Sequence, residues 1–171
     1  IQSFKAMSHF KWGNMTLING KLETATSLPW NYLPSWFLVT NPVLWLIAGF
    51  AGIGLVIYDF SKQPLKYINN TPERNFVLYI LCFFVPILSV IVLHSVVYDD
   101  WRHVFFVFPP FILLALYAIN KAMQLKYQKI VMGVCALQVA AVLFFMVQNH
   151  PFHHIYFNEL VSRSEERRVG K

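Results

Sequence analysis

The hydrophobic positions of the chain gather into four long runs separated by short polar stretches, a pattern that predicts membrane-crossing helices. Crossing a hydrocarbon core of about 30 Å takes roughly 20 mostly apolar helical residues, and a helix satisfies its own backbone hydrogen bonds where no water can. Trp36 to Tyr58 is the clearest run: it holds no charge, ends before Asp59, and carries Gly49, Gly52 and Gly54 for close approach of a neighbouring helix. Phe76 to Val97 is equally apolar, with His94 near its end and Pro86 predicting a kink. Val104 to Asn120 is shorter and contains Pro109 and Pro110, so its first turns are expected to be a broken or interfacial segment. Ile130 to Val147 closes the set, with Gln138 as its one strongly polar interior residue. The expected fold class is therefore all-α, a polytopic transmembrane helix bundle of about four spans.

The polar stretches orient these spans. Residues 59–75 carry Lys62, Lys66 and Arg74, and residues 121–129 carry Lys121, Lys126 and Lys129, so both are expected on the cytoplasmic side. Residues 98–103 and 148–162 hold only Arg102 as a fixed positive charge and are expected to face outward with the N-terminal segment, where Lys5, Lys11 and Lys21 weaken the bias without reversing it. The composition agrees with a membrane solvent: 57% hydrophobic, 17% aromatic and 13% charged, against a globular norm of about 25% charged. The chain starts at Ile1 rather than Met, and its first loop reads as sequence from the middle of a protein, so it is expected to be a fragment. Its end, Arg163 to Lys171, matches codon for codon the translation of a common sequencing adapter and is expected to be an artefact, not gene-encoded protein. Removing its four basic and two acidic residues lowers the formal charge from +6 to +4, which leaves no argument for a nucleic-acid partner. Cys82 and Cys135 lie inside apolar runs as small hydrophobes and imply neither a disulfide framework nor a metal site.

Three segments on the expected outer side carry the residues that chemistry would use. The first, Leu28 to Pro42 at the end of the outward loop 1–35, is an aromatic and proline-rich stretch where Trp30, Tyr32 and Trp36 alternate with Pro29 and Pro34. Aromatics at headgroup level are common to membrane proteins, but the proline spacing suggests a defined extended lid. The second, Tyr98 to His103, packs Asp99, Asp100, Trp101, Arg102 and His103 into one turn between spans. Arg102 has the fork geometry to grip a phosphate and His103 adds a donor; the plainer alternative is an exposed ion pair within the turn, worth about 0 to 1 kcal/mol. The third, residues 148–162, contains His150, His153, His154, Tyr156 and Asn158. Imidazoles at this spacing can share a helical face, but without a Cys or acidic ligand the expectation is a surface or lipid-headgroup role and no metal.

In their order along the chain, these segments resemble the bacterial membrane glycosyltransferases of the C-type superfamily, glycosyltransferase family 39-like, related to the protein O-mannosyltransferases and the aminoarabinose transferase of lipid A. The resemblance rests on Pro29 to Pro34 before a span, Trp101 to Pro110 running into an aromatic helix, and His150 to Asn158 after one further span. It implies transfer of a sugar from a polyprenyl-phosphate donor to a protein, lipid or glycan acceptor at the outer face of a bacterial inner membrane, with no cofactor. Arg102 and His103 would meet the donor phosphate, with Trp30, Tyr32, Trp101, His150, Tyr156 and Asn158 lining the outward site. The family's catalytic acid lies in an earlier outward loop; Glu23, Asp99, Asp100 and Glu159 do not match its motif, so the catalytic residue is unknown and the fragment is expected to be inactive alone. A transporter would instead place polar groups along a path deep in the spans, and a non-catalytic membrane subunit would need none of the outer motifs.

Overall fold

The first structured stretch after Leu28 is a helix, and its prolines explain why. The computed structural model describes residues 15–18, 21–24, 29–93, 102–125, 128–150, 156 and 158, with the backbone alone for the strands and residue 102. Helix α1 spans Tyr32–Thr40. The amide of Tyr32 donates to the carbonyl of Pro29 at 3.0 Å and that of Ser35 to Asn31 at 2.9 Å, forming the opening turn. Pro34 falls in that turn, where a missing N–H costs no helical hydrogen bond. The extended lid expected from the proline spacing is thus corrected: this stretch is a turn leading into a helix. Upstream, a two-stranded antiparallel hairpin pairs β1, Met15–Ile18, with β2, Lys21–Thr24. Its strands are separated in sequence by Asn19-Gly20, the dipeptide most favoured in two-residue hairpin loops.

Helix α1 stops because Pro42 drives the residue before it out of helical conformation: Asn41 sits at φ −108° and ψ 142°. A new helix, α2, runs from Val43 to Lys62. The run expected as one span from Trp36 to Tyr58 is therefore two helices, the second shifted toward the lysines. Short α3, Pro64–Asn69, leads into α4, Thr71–Val92, each with a proline in its first turn. Pro86 lies inside α4 without ending it. A 3₁₀ segment, Arg102–Val107, then feeds α5, Phe108–Met123, so the irregular entry lies before Pro109 and Pro110, which sit in the first turn of α5 rather than breaking it. The last helix, α6, is Gln128–Gln148.

The core is the contact between α2 and α5, which run parallel. On α2 the buried positions Leu46, Gly49, Ile53 and Val56 recur at helical spacing, and on α5 Phe111, Leu114, Ala115 and Ala118 answer them. Glycine permits this approach at two places. A Cβ on Gly49 would lie 2.5 Å from Phe111 Cε1, and one on Gly52 would overlap the Leu114 carbonyl group, 2.7 Å from its carbon. Gly54, on the far side of α2, has nothing within 4 Å. Helix α4 packs antiparallel on α5, and three rings lock α1 onto the bundle. Phe37, Phe83 and Phe111 lie pairwise 5.3, 5.0 and 4.9 Å apart, and Phe50 adds an edge to Phe111 at 5.5 Å.

The outside of the bundle is as apolar as its inside. Four helices, Val43–Lys62, Thr71–Val92, His103–Met123 and Gln128–Gln148, are long and apolar enough to cross a membrane, and the last buries none of its apolar window within the bundle. Leu137, Leu143, Phe144 and Val147 of α6 and Val85 and Leu88 of α4 are all more than half exposed. Water would not tolerate such continuous patches; lipid does. The chain is a membrane-embedded, all-α bundle.

Candidate functional site

The alternating direction of the four spans places the starts of α2 and α5 and the ends of α4 and α6 at one end of the bundle. The described residues of the three chemically suggestive segments belong to this aromatic end. Tyr32, Leu33 and Phe37 of α1 join Val104 and Val107 of the 3₁₀ segment and Phe111 of α5 in one hydrophobic cluster. Val104, where the backbone kinks at φ −112° and ψ 18°, and Val107 are both buried. The same segment leaves His103, Phe105 and Phe106 exposed.

The third segment reaches the first through Asn158. Helix α1 ends with carbonyls that have no helical partner, and two asparagines serve them. Asn41 Nδ2 donates to the Phe37 carbonyl at 2.7 Å. Asn158, 3% exposed, donates from its backbone amide to Val39 at 2.9 Å and from Nδ2 to Leu38 at 2.5 Å and Asn41 at 2.9 Å. Thr40 Oγ1 donates back to Trp36 at 2.8 Å. Nearby, Tyr156 stands edge-on to Phe145 of α6, with ring centres 5.0 Å apart.

The sequence-predicted site residues thus divide. Trp30, 73% exposed, precedes α1 and is open to ligand or lipid. Tyr32 is buried in the core, edge-on to Trp36 at 6.3 Å. His103 and His150 are exposed at the same end. Arg102 opens the 3₁₀ segment, while Trp101, His153 and His154 lie outside the described residues. Among the described residues no group of three His, Cys, Asp or Glu side chains gathers to hold a metal. Asn158 holds the backbone at the end of α1, and no local pattern announces this because its partners are 117 and 120 residues away.

The opposite, lysine-bearing end is held by local contacts. Lys66 pairs with Glu73 at 3.1 Å, and this hydrogen-bonded carboxylate raises the Lys66 ammonium above its ordinary value. Burial, helped by the charge of Asp59, pushes the Tyr67 phenol up. Lys62 lies 4.4 Å over the ring of Tyr58. Asp59, expected to stand just outside the first span, falls inside α2 and accepts a hydrogen bond from the Tyr117 hydroxyl at 3.3 Å. Lys66–Glu73 joins α3 to α4 and Asp59–Tyr117 joins α2 to α5, while Lys62 and Tyr58 pair within α2.

No protein-family model, curated protein or solved structure matches the chain.

Proposed function

We propose that the chain is part of an integral-membrane glycosyltransferase that moves a sugar from a polyprenyl-phosphate donor to an acceptor at the outer face of a bacterial inner membrane. The observation that supports this reading is the gathering of residues from three separate segments at one end of the bundle: α1 with Trp30 before it, the 3₁₀ segment opened by Arg102 and His103, and Tyr156 and Asn158. A lipid-linked substrate needs such a place, where a charged headgroup sits at the interface while its tail lies along apolar helix surface. Arg102 is the residue proposed for the donor phosphate, since its planar fork matches two phosphate oxygens. His103, exposed beside it, supplies a further donor. The sequence resemblance to the C-type glycosyltransferases points the same way.

The test is transfer from a polyprenyl-phosphate sugar by the protein as its gene encodes it. Arg102→Ala is expected to abolish or strongly reduce transfer with membrane insertion unchanged; full activity in that variant sinks the phosphate assignment. A transporter is the second reading, and the Asp59–Tyr117 contact is the observation in its favour. Its Asp59 lies in the last turn of α2, at the lysine end rather than at midspan where a substrate path would need it.

A further inference from the structure

We infer that Asn158 is a positioning residue: a clamp that fixes helix α1, and with it the Trp30 side of the proposed donor site, by donating to the backbone where α1 ends. A helix end at a membrane surface must find donors for its last carbonyls, because an unsatisfied carbonyl away from water costs more than a hydrogen bond gains. Helix α1 cannot pass them to α2, since Pro42 has no N–H to offer and Asn41 is already extended. Asn41 covers Phe37, and the carbonyls of Leu38, Val39 and Asn41 itself all take their donors from Asn158.

The chemistry of the side chain is specific. Nδ2 faces two carbonyl oxygens at once, at 2.5 and 2.9 Å, so the amide nitrogen and not its oxygen must point there. A hydroxyl has one proton and cannot serve both. A carboxylate has none and would set negative charge against the same oxygens. Burial to 3% keeps water from substituting. The consequence is mechanical coupling across the whole chain. The segment that follows the last span holds the helix that precedes the first, and α1 in turn places Phe37 on Phe83 and Phe111.

The clamp itself is independent of any substrate; its kinetic consequence rests on the transferase reading, in which a loosened α1 weakens the hold on the donor. Two measurements separate these. In nanodiscs, hydrogen exchange at the amides of residues 36–40 is expected to quicken about tenfold or more in Asn158→Ala, the scale of losing a buried hydrogen-bonded group, with α5 unchanged. Asn158→Asp keeps the shape but removes the donor. It should exchange at least as fast as Asn158→Ala at neutral pH and recover part of its protection on acidification, after correction for intrinsic rates, because a protonated carboxyl donates one of the two hydrogen bonds again. Protection in Asn158→Asp equal to that of the wild type at neutral pH would show that shape alone matters and overturn the clamp. In the transfer assay, Asn158→Ala is expected to raise KM for the lipid donor about tenfold with kcat little changed, whereas mere loss of folded protein lowers the apparent kcat at constant KM. An unchanged KM in an active protein overturns the positioning role. A wild-type protein that performs no transfer overturns the transferase reading and this kinetic consequence together, while the exchange comparison still decides the clamp.

Discussion

Substituting Gly52 by Ala tests the parallel packing of α2 on α5 at its tightest point. The added methyl would overlap the Leu114 carbonyl, with the carbonyl carbon 2.7 Å away. Because the obstacle is backbone within a helix, it cannot swing aside as a side-chain end would; the two helices must separate. Forcing a methyl into a closed core costs about 1–3 kcal/mol, and the stiffness of this obstacle argues for the upper half of that range. Alanine also improves helix propensity over glycine by roughly 0.8–1.0 kcal/mol, which would mask part of the loss. Gly54→Ala removes that ambiguity. It lies in the same helix with nothing within 4 Å of the new atom, so it carries the propensity gain without the collision. The difference between the two variants isolates the packing cost and should be about 2 kcal/mol or more, with Gly52→Ala the less stable. Reversible unfolding in bicelles, with steric trapping or detergent titration, measures that difference directly. Equal stabilities within about 0.5 kcal/mol would refute the close approach of α2 and α5.

Three further outcomes are expected. Phe111→Ala, which empties a fully buried site touching Phe37, Phe50 and Phe83, should cost about 3–5 kcal/mol in the same assay, while Leu113→Ala on the exposed side should cost far less. Tyr67 has its pKa raised above the ordinary 10.0, chiefly by burial. The folded state therefore holds that proton more tightly than the unfolded chain, and the stability this contributes is complete below pH 10.0 and is lost as pH rises through the folded pKa; an alkaline titration of phenolate absorbance alongside stability checks it. In a background lacking the two native cysteines, Ser61→Cys should react with a membrane-impermeant maleimide only from the cytoplasmic side and Gln148→Cys only from the opposite side, as the distribution of lysines requires. Labelling of both from one side would contradict the four alternating crossings.

What was legible in the sequence, and what was not, follows from the range of each signal. The span helices stand out because about 20 consecutive apolar residues have few alternatives to crossing a membrane. Gly49 and Gly52 were rightly suspected of allowing close approach, but sequence alone could not separate them from Gly54, which the helical period turns to the other side of α2. The boundary at Asn41-Pro42 was read through because the residues on both sides are apolar, although the extended preference of a residue before proline was a usable sign. The hairpin also has a sign in the sequence, Asn19-Gly20 between two short runs, though a weak one beside the longer apolar runs. The sequence marks Asn158 only through the resemblance carried by His150 to Asn158. Its hydrogen bonds to Leu38 and Asn41 depend on tertiary structure across 120 and 117 residues, which no local pattern encodes.

The most direct test of the proposed site is whether it holds its ligand. Native mass spectrometry of the protein released from nanodiscs containing a polyprenyl phosphate should show one retained lipid per chain. That adduct should be lost or strongly reduced in Arg102→Ala and kept in the lipid-facing variant Leu137→Ala. No retained polyprenyl phosphate, or equal retention in Arg102→Ala, would contradict the account of the aromatic end as a lipid-phosphate site.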